Sequence, residues 1–331
     1  MSKIKQTVRA RFPIPDRLSL VITLAQVAIS LMLLWASSRL MAEAQWLGLA
    51  GCALIFSFVM QTGFSLLHEA EHRKLHSHRQ VNDLLGFMCA TMFPGSYQLM
   101  TVAHLNHHKV NRSDAELVDY IRPGESATTK WIQFYALITG LIWLSAPLVT
   151  FVVCLTPTGV LSKWFDKGEG SSVARYLAFI QRAGAHRVRA ETALGLLLWV
   201  LTWRALGLQW QAVAICYAAF AFSWSSQQYI YHVRTPRHLI EGAYDLKLWR
   251  PMQWLYLNFN FHLSHHRLPN VPWLYMPQVA SEVPTRGYLR TYLALWAPPQ
   301  PVDQAWPVEH QIKGRLAPRP AADLQKEALA A

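Results

Sequence analysis

Two runs of about twenty apolar residues, Leu18 to about Ser37 and Trp46 to Leu67, stand near the start of the chain. Few environments accept them. A helix of that length matches the hydrocarbon thickness of a bilayer and satisfies its own backbone polar groups there. We read both as membrane-spanning helices. The first follows Lys3, Lys5, Arg9, Arg11 and Arg17, a basic start that belongs in the cytoplasm. A secretory leader also starts basic. Its apolar core is shorter, though, and ends at a small-residue cleavage site that is not evident here.

Composition agrees. The chain is 52% hydrophobic and 15% charged, against about 25% charged in soluble proteins. Its net charge of +12 reads as the basic excess of a cytoplasmic membrane face, and no nucleic-acid partner is expected. Cys52, Cys89, Cys154 and Cys216 are scattered through apolar surroundings with no Cys-x-x-Cys pair. They read as small buried hydrophobes, not as a disulfide framework or thiolate metal site.

Later segments need a charge argument. Residues 84–103 are apolar but broken by Pro94-Gly95, and read as an interfacial or re-entrant piece. Residues 131–155 are long enough to cross. A single crossing, however, would put the basic loop 156–190 on the wrong side, so this run is expected to dip in and return. Residues 191–206 and 210–231 form a hairpin about Gly207-Leu208-Gln209. The expected fold is an all-α integral membrane protein. It has about four transmembrane helices, interfacial or re-entrant helices, and a cytoplasmic histidine-rich cap for two metals. Residues 1–17 are a basic cytoplasmic arm, 18–297 one membrane domain, and 298–331 a flexible Pro- and Ala-rich cytoplasmic tail.

That topology brings three histidine clusters to one face. The first is His68 and His72, the second His104, His107 and His108, the third His262, His265 and His266. Spacings of three and four put each cluster on one side of a helix. Imidazole suits zinc, copper, iron and nickel. Eight ligands exceed what one tetrahedral ion takes, so two metals share the set. His232 ends the last predicted transmembrane helix at the depth of His68, with Gln228 one turn before it, and reads as a ninth ligand. His76 continues the stripe of His68 and His72 as a headgroup contact, a proton carrier or a support to the ligands. His186, His238 and His310 stand alone and read as ordinary surface residues.

A ligating imidazole usually gives its other N–H to a carboxylate or carbonyl. Glu69, Glu71, Asp83, Asp114, Glu241 and Asp245 flank the clusters, and Asp114 and Asp245 are the first candidates for that role. Asn258, four residues before His262, offers an amide oxygen or a hydrogen bond.

The set His-x3-His, His-x2-His-His and His-x2-His-His resembles the membrane fatty acid desaturase/hydroxylase superfamily. The similarity runs from about Trp46 to Pro277, and the stretch from Asn260 to Pro272 looks most like the desaturase branch. The resemblance implies a non-haem di-iron enzyme that uses O2 to attack an unactivated C–H bond of a lipid or acyl chain, with His232 at the position of a further ligand. It implies a separate electron donor, a ferredoxin, rubredoxin or cytochrome, because the chain lacks a His-Pro-Gly-Gly motif and an iron–sulfur cysteine pattern. A fatty acyl desaturase in a bacterial inner membrane, with termini and active site cytoplasmic, is the leading expectation. The alternatives are a hydroxylase or ketolase acting on an alkyl chain or carotenoid, and a non-enzymatic membrane metal-binding protein. Nearly charge-free spans argue against a transporter.

Overall fold

A computed structural model describes residues 11–113, 116–144, 156–157, 160 and 179–302. Asp114, Cys154, His310, most of the basic loop 156–190, the second half of 131–155 and the tail beyond 302 lie outside the described residues. The chain divides into two compact units, with boundaries inside two of its helices.

The first unit comprises residues 16–105 and 141–223. Helix α1, Asp16–Ala42, and helix α2, Trp46–Glu71, form a hairpin through a three-residue turn. Asp16 at the start of α1 and Arg39 near its end match the helix dipole. Both helices are long and apolar enough to cross a membrane. Their surfaces say the same. The inward stripe of α1 is Ser19, Thr23, Gln26, Ser30 and Ser37, while Val21, Leu24, Met32 and Trp35 face outward. That inverts the pattern of a soluble helix and suits one that packs through small polar residues in lipid. Two of the hydroxyls on α1 bond back to its own carbonyls. Thr23 donates to the Ser19 carbonyl at 2.8 Å and Ser38 to the Leu34 carbonyl at 2.9 Å. Gly63 leaves room for Gln26, because a Cβ there would come within 2.7 Å of the Gln26 amide.

Helix α2 ends abruptly after the first histidine cluster. Arg73 takes a left-handed conformation, φ 59°. Its N–H donates to the Ala70 carbonyl at 2.9 Å and that of Lys74 to the Glu69 carbonyl at 2.7 Å. This is a Schellman stop made without glycine, and it removes His76 from the stripe of His68 and His72. Helix α3, Arg79–Met92, and helix α4, Tyr97–Val110, follow, separated at Pro94-Gly95 as the sequence indicates. Gly86 admits the Tyr97 ring, which a Cβ would meet at 2.5 Å. The Tyr97 hydroxyl and the Asn82 amide both donate to the Ala70 carbonyl, at 2.8 and 3.1 Å. Those bonds join the end of α2 to α3 and α4, the elements that carry His68, His72 and His104.

In residues 131–155, the described part comprises the end of helix α5, Ala127–Ile138, and a 3-10 turn at Leu141–Leu144. The hairpin expected after it is present as α6, Ala185–Leu206, and α7, Trp210–Tyr229. Gly207 closes α6 in the left-handed region, φ 59°, its N–H on the Trp203 carbonyl. Neither arm passes the length-and-composition test for a crossing that α1 and α2 pass. Helix α6 carries Arg187, Arg189, Glu191 and Arg204, and α7 ends in Ser225, Ser226, Gln227 and Gln228. Glu191 accepts from the Gln98 N–H at 3.0 Å and the Ser96 hydroxyl at 2.7 Å, placing a negative charge at the start of α4.

The second unit comprises residues up to 15, 106–140 and 224 onward. Its elements are short: α5, α8 (Arg250–Leu255), α9 (His262–Arg267), α10 (Met276–Val279) and α11 (Tyr288–Leu295). The strands β1 (Tyr120–Ile121) and β2 (Gln300–Pro301) pair in parallel, a small departure from the expected all-α fold. Phe261, Val271, Met276 and Val279 form a core on which Phe12 packs.

Candidate metal centre

In the first unit, α2 supplies His68 and His72 one turn apart, and α4 supplies His104. Their ring centroids lie 4.5–5.0 Å apart, and the Nε2 atoms of His72 and His104 are 2.7 Å from each other. His68 is only 3% exposed. Helix α2 stops at once after the cluster and its end is packed over. Glu69 Oε1 lies 3.8 Å from His68 Nδ1, and Glu71 Oε2 lies 3.9 Å from His104 Nδ1.

In the second unit, His107 and His108 come from the last turn of α4, His232 from the turn after α7, and His262, His265 and His266 from α9. One ring nitrogen from each of His107, His232, His262 and His266 lies within 4.8 Å of all the others. His232 Nε2 is 2.9 Å from His262 Nε2, which is 3.3 Å from His266 Nε2. His108 and His265 approach each other at 3.1 Å through Nε2.

These separations fit a metal. Two nitrogens each about 2.1 Å from one ion, and about 90° apart around it, are about 3 Å from each other. The tautomers fit too. His107 Nδ1 is 2.7 Å from Glu116 Oε2, and His232 Nδ1 is 2.8 Å from the Gly242 carbonyl. Both oxygens accept the Nδ1 proton, which leaves the Nε2 atoms of His107 and His232 as the ones available to a metal. Burial first, then the neighbouring His107, holds His232 well below the usual imidazole pKa. Burial, then His108 and His262, does the same for His266. Buried neutral imidazoles with converging lone pairs are what a cation binds. A family model for fatty acid desaturases matches residues 44–298, which include all of these histidines. The chain belongs to the fatty acid desaturase family. A comparison with curated proteins gives no match.

Other residues that the sequence singles out take different places. Asp245 does not turn to an imidazole. Its carboxylate receives the Ser264 N–H at 3.0 Å and the Ser264 hydroxyl at 2.5 Å, which fixes α9 between His262 and His265. Burial raises its pKa, and the two Ser264 bonds work the other way. Asn258, at φ 57°, donates to the Trp273 carbonyl at 3.1 Å and shapes the turn before α9. His76 accepts the His78 N–H at 3.0 Å and lies 4.0 Å from Asp16. His186 and His238 are exposed.

Several supporting residues escape a reading of motifs. Glu116, nine positions after His107, is the closest carboxylate partner of a ring here. Asn111 donates to the carbonyls of Leu239 and Gly242 at 3.0 and 3.2 Å. A Cβ at Gly242 would sit 2.3 Å from the His238 carbonyl, so only glycine presents its own carbonyl to His232. Behind them lies a buried ion pair. Arg112 donates to Asp119 at 2.7 Å and to the Thr235 carbonyl at 3.0 Å. Asp119 also accepts from the Tyr229 hydroxyl at 3.0 Å and the Arg234 N–H at 2.5 Å. The pair ties the segment after α4 to the turn that presents His232. No glycine, proline or box pattern marks it. Its only sequence signal is a charged pair seven residues apart in a loop.

Proposed function

We propose that the chain is an O2-dependent di-iron fatty acyl desaturase that introduces a C=C bond into an alkyl chain. The observation that carries this reading is the coincidence of a family match over residues 44–298 with nine histidines gathered within the units, three in the first and six in the second. The nine are His68, His72, His104, His107, His108, His232, His262, His265 and His266. They exceed the capacity of one ion, so two ions share them, and His104 and His108 stand one turn apart on the unbroken helix α4. Bound iron would supply the O2 chemistry that removes two hydrogens from adjacent methylenes. The chain's own residues hold and orient. Glu116 and the Gly242 carbonyl keep the Nδ1 protons of His107 and His232 in place, and Asp245 fixes α9 through Ser264.

The substrate is a lipid or acyl chain. Electrons come from a separate ferredoxin, rubredoxin or cytochrome, for which the basic residues Arg73, Lys74 and Arg79 offer a complementary surface. The protein sits in a bacterial inner membrane with α1, α2, α6 and α7 as crossings and its termini and histidines cytoplasmic. Residues 18–297 act as one catalytic domain, between the basic arm and the tail.

Expression in a host of known lipid profile, followed by mass spectrometry, tests the reaction. Products two hydrogens lighter support desaturation. Products heavier by one oxygen overturn it in favour of hydroxylation, and unchanged lipids with no O2 uptake overturn both.

A further inference from the structure

The unit that carries α9 exposes apolar side chains which the metal centre does not explain. Trp249 is 72% exposed, Trp254 53%, Leu289 68% and Leu293 64%. Trp249 caps α8 and Trp254 lies within it, while Leu289 and Leu293 are one turn apart on α11. The two helices begin side by side. The Lys247 N–H donates to the Arg286 carbonyl at 2.7 Å, and the Tyr288 N–H donates to the Lys247 carbonyl at 3.0 Å.

Helix α11 turns Leu289 and Leu293 to its exposed side together with Arg290, and buries Thr291 with Leu295. Thr291 is buried, its hydroxyl bonded to the Gly287 carbonyl at 2.9 Å, while the two leucines point out. The same band exposes Lys247, Arg250, Arg286 and Arg290. Soluble surfaces rarely gather large apolar groups in this way. Tryptophan beside leucine, rimmed by lysine and arginine, is the composition of a surface seated at the headgroup level of a bilayer. An acidic protein partner would answer the basic residues and leave four large apolar side chains unexplained. An anionic leaflet answers both.

We propose that Trp249, Trp254, Leu289 and Leu293 rest in the headgroup region of an anionic bilayer leaflet, held there by Lys247, Arg250 and Arg290. The proposal is independent of the metal reading and of the reaction.

The test uses the full chain in bilayer discs of phosphatidylcholine, with and without phosphatidylglycerol, doped with a phosphatidylcholine bearing a photoreactive diazirine. Labelled peptides are mapped by mass spectrometry. The peptides holding Trp249 and Leu289 label, and the yield rises severalfold with phosphatidylglycerol. Arg290→Glu lowers that yield by about fivefold or more and leaves labelling of Trp35 on α1 unchanged. The pair Leu289→Ser with Leu293→Ser, judged against the same Trp35 signal, serves if Arg290→Glu fails to fold. Labelling of α1 with none on the band overturns the proposal. So do labelling indifferent to phosphatidylglycerol, and cross-linking of the band to residues 303–331 or to a soluble protein.

Discussion

Replacing Asp119 with asparagine removes one charge and almost no volume, so its cost measures the buried pair. Asp119 is 0% exposed and Arg112 2%. Burial pushes the pKa of the Arg112 guanidinium down, and the charge of Asp119, the neighbouring Tyr229 and Tyr120 and the hydrogen bond to Asp119 together leave it raised. A guanidinium does not deprotonate in a protein, so the arginine stays charged when its partner is neutralised. Removing one member of a buried pair costs about 3–5 kcal/mol. Asparagine still offers an oxygen to Arg112 or to Tyr229, which places Asp119→Asn near about 3 kcal/mol. A kcal/mol is worth about 2–4 °C of midpoint in domains of about 150–250 residues, so the unfolding midpoint in detergent falls by about 6–12 °C. The surface pair Arg79–Asp83, with side chains 69% and 38% exposed, is the control. Arg79→Ala stays within about 0.5 kcal/mol of the parent. If Asp119→Asn melts with the parent, the pair does not hold this region and the reasoning fails.

His107→Ala lowers substrate conversion more than about 100-fold, beyond what loss of a supporting residue costs, while the protein still inserts in the membrane. Exposed His186→Ala stays within about twofold, and equal losses in the two variants would remove the site assignment. Glu116→Ala weakens metal retention in a chelator titration by about 10–100-fold, and Glu116→Gln, which still accepts from Nδ1, recovers part of it; identical curves for parent and Glu116→Ala would refute the role. Arg122 and Lys130 overcome the effect of burial and hold Glu125 at about 2, below its ordinary 4.5. A depressed pKa gives stability that is present above about 4.5 and lost as pH falls toward 2. Glu125→Gln therefore flattens the acid limb of denaturant midpoints in that window, and an unaltered limb would contradict it.

The histidine clusters were legible because their signal is local. Spacings of three and four place histidines on one helix face whatever the helix packs against. Gly207 announced its hairpin for the same reason, since a left-handed helix stop favours glycine. His76 went astray because α2 stops at Arg73, a residue that gives no warning of a left-handed conformation. Asp245 was read toward the imidazoles and turns instead to Ser264, because the turn at Asn258 sets where α9 begins. Glu116, Asn111, Gly242 and Asp119 were illegible for a related reason. Each acts through irregular backbone, where the partner is chosen by how the loops fold and not by a period in the sequence. Helix α6 begins at Ala185, before the expected start at 191, and α7 begins at 210 as expected. Their charged and amide residues make composition a weaker guide to crossing than it is for α1 and α2.

The central claim is that these histidines hold two irons, and metal analysis of the full chain purified from iron-replete cells tests it most directly. The account predicts two irons per chain, with a Mössbauer spectrum of nitrogen-rich non-haem iron that is lost in His107→Ala or reduced to one site. One zinc per chain, or iron content unchanged in His107→Ala, would contradict it.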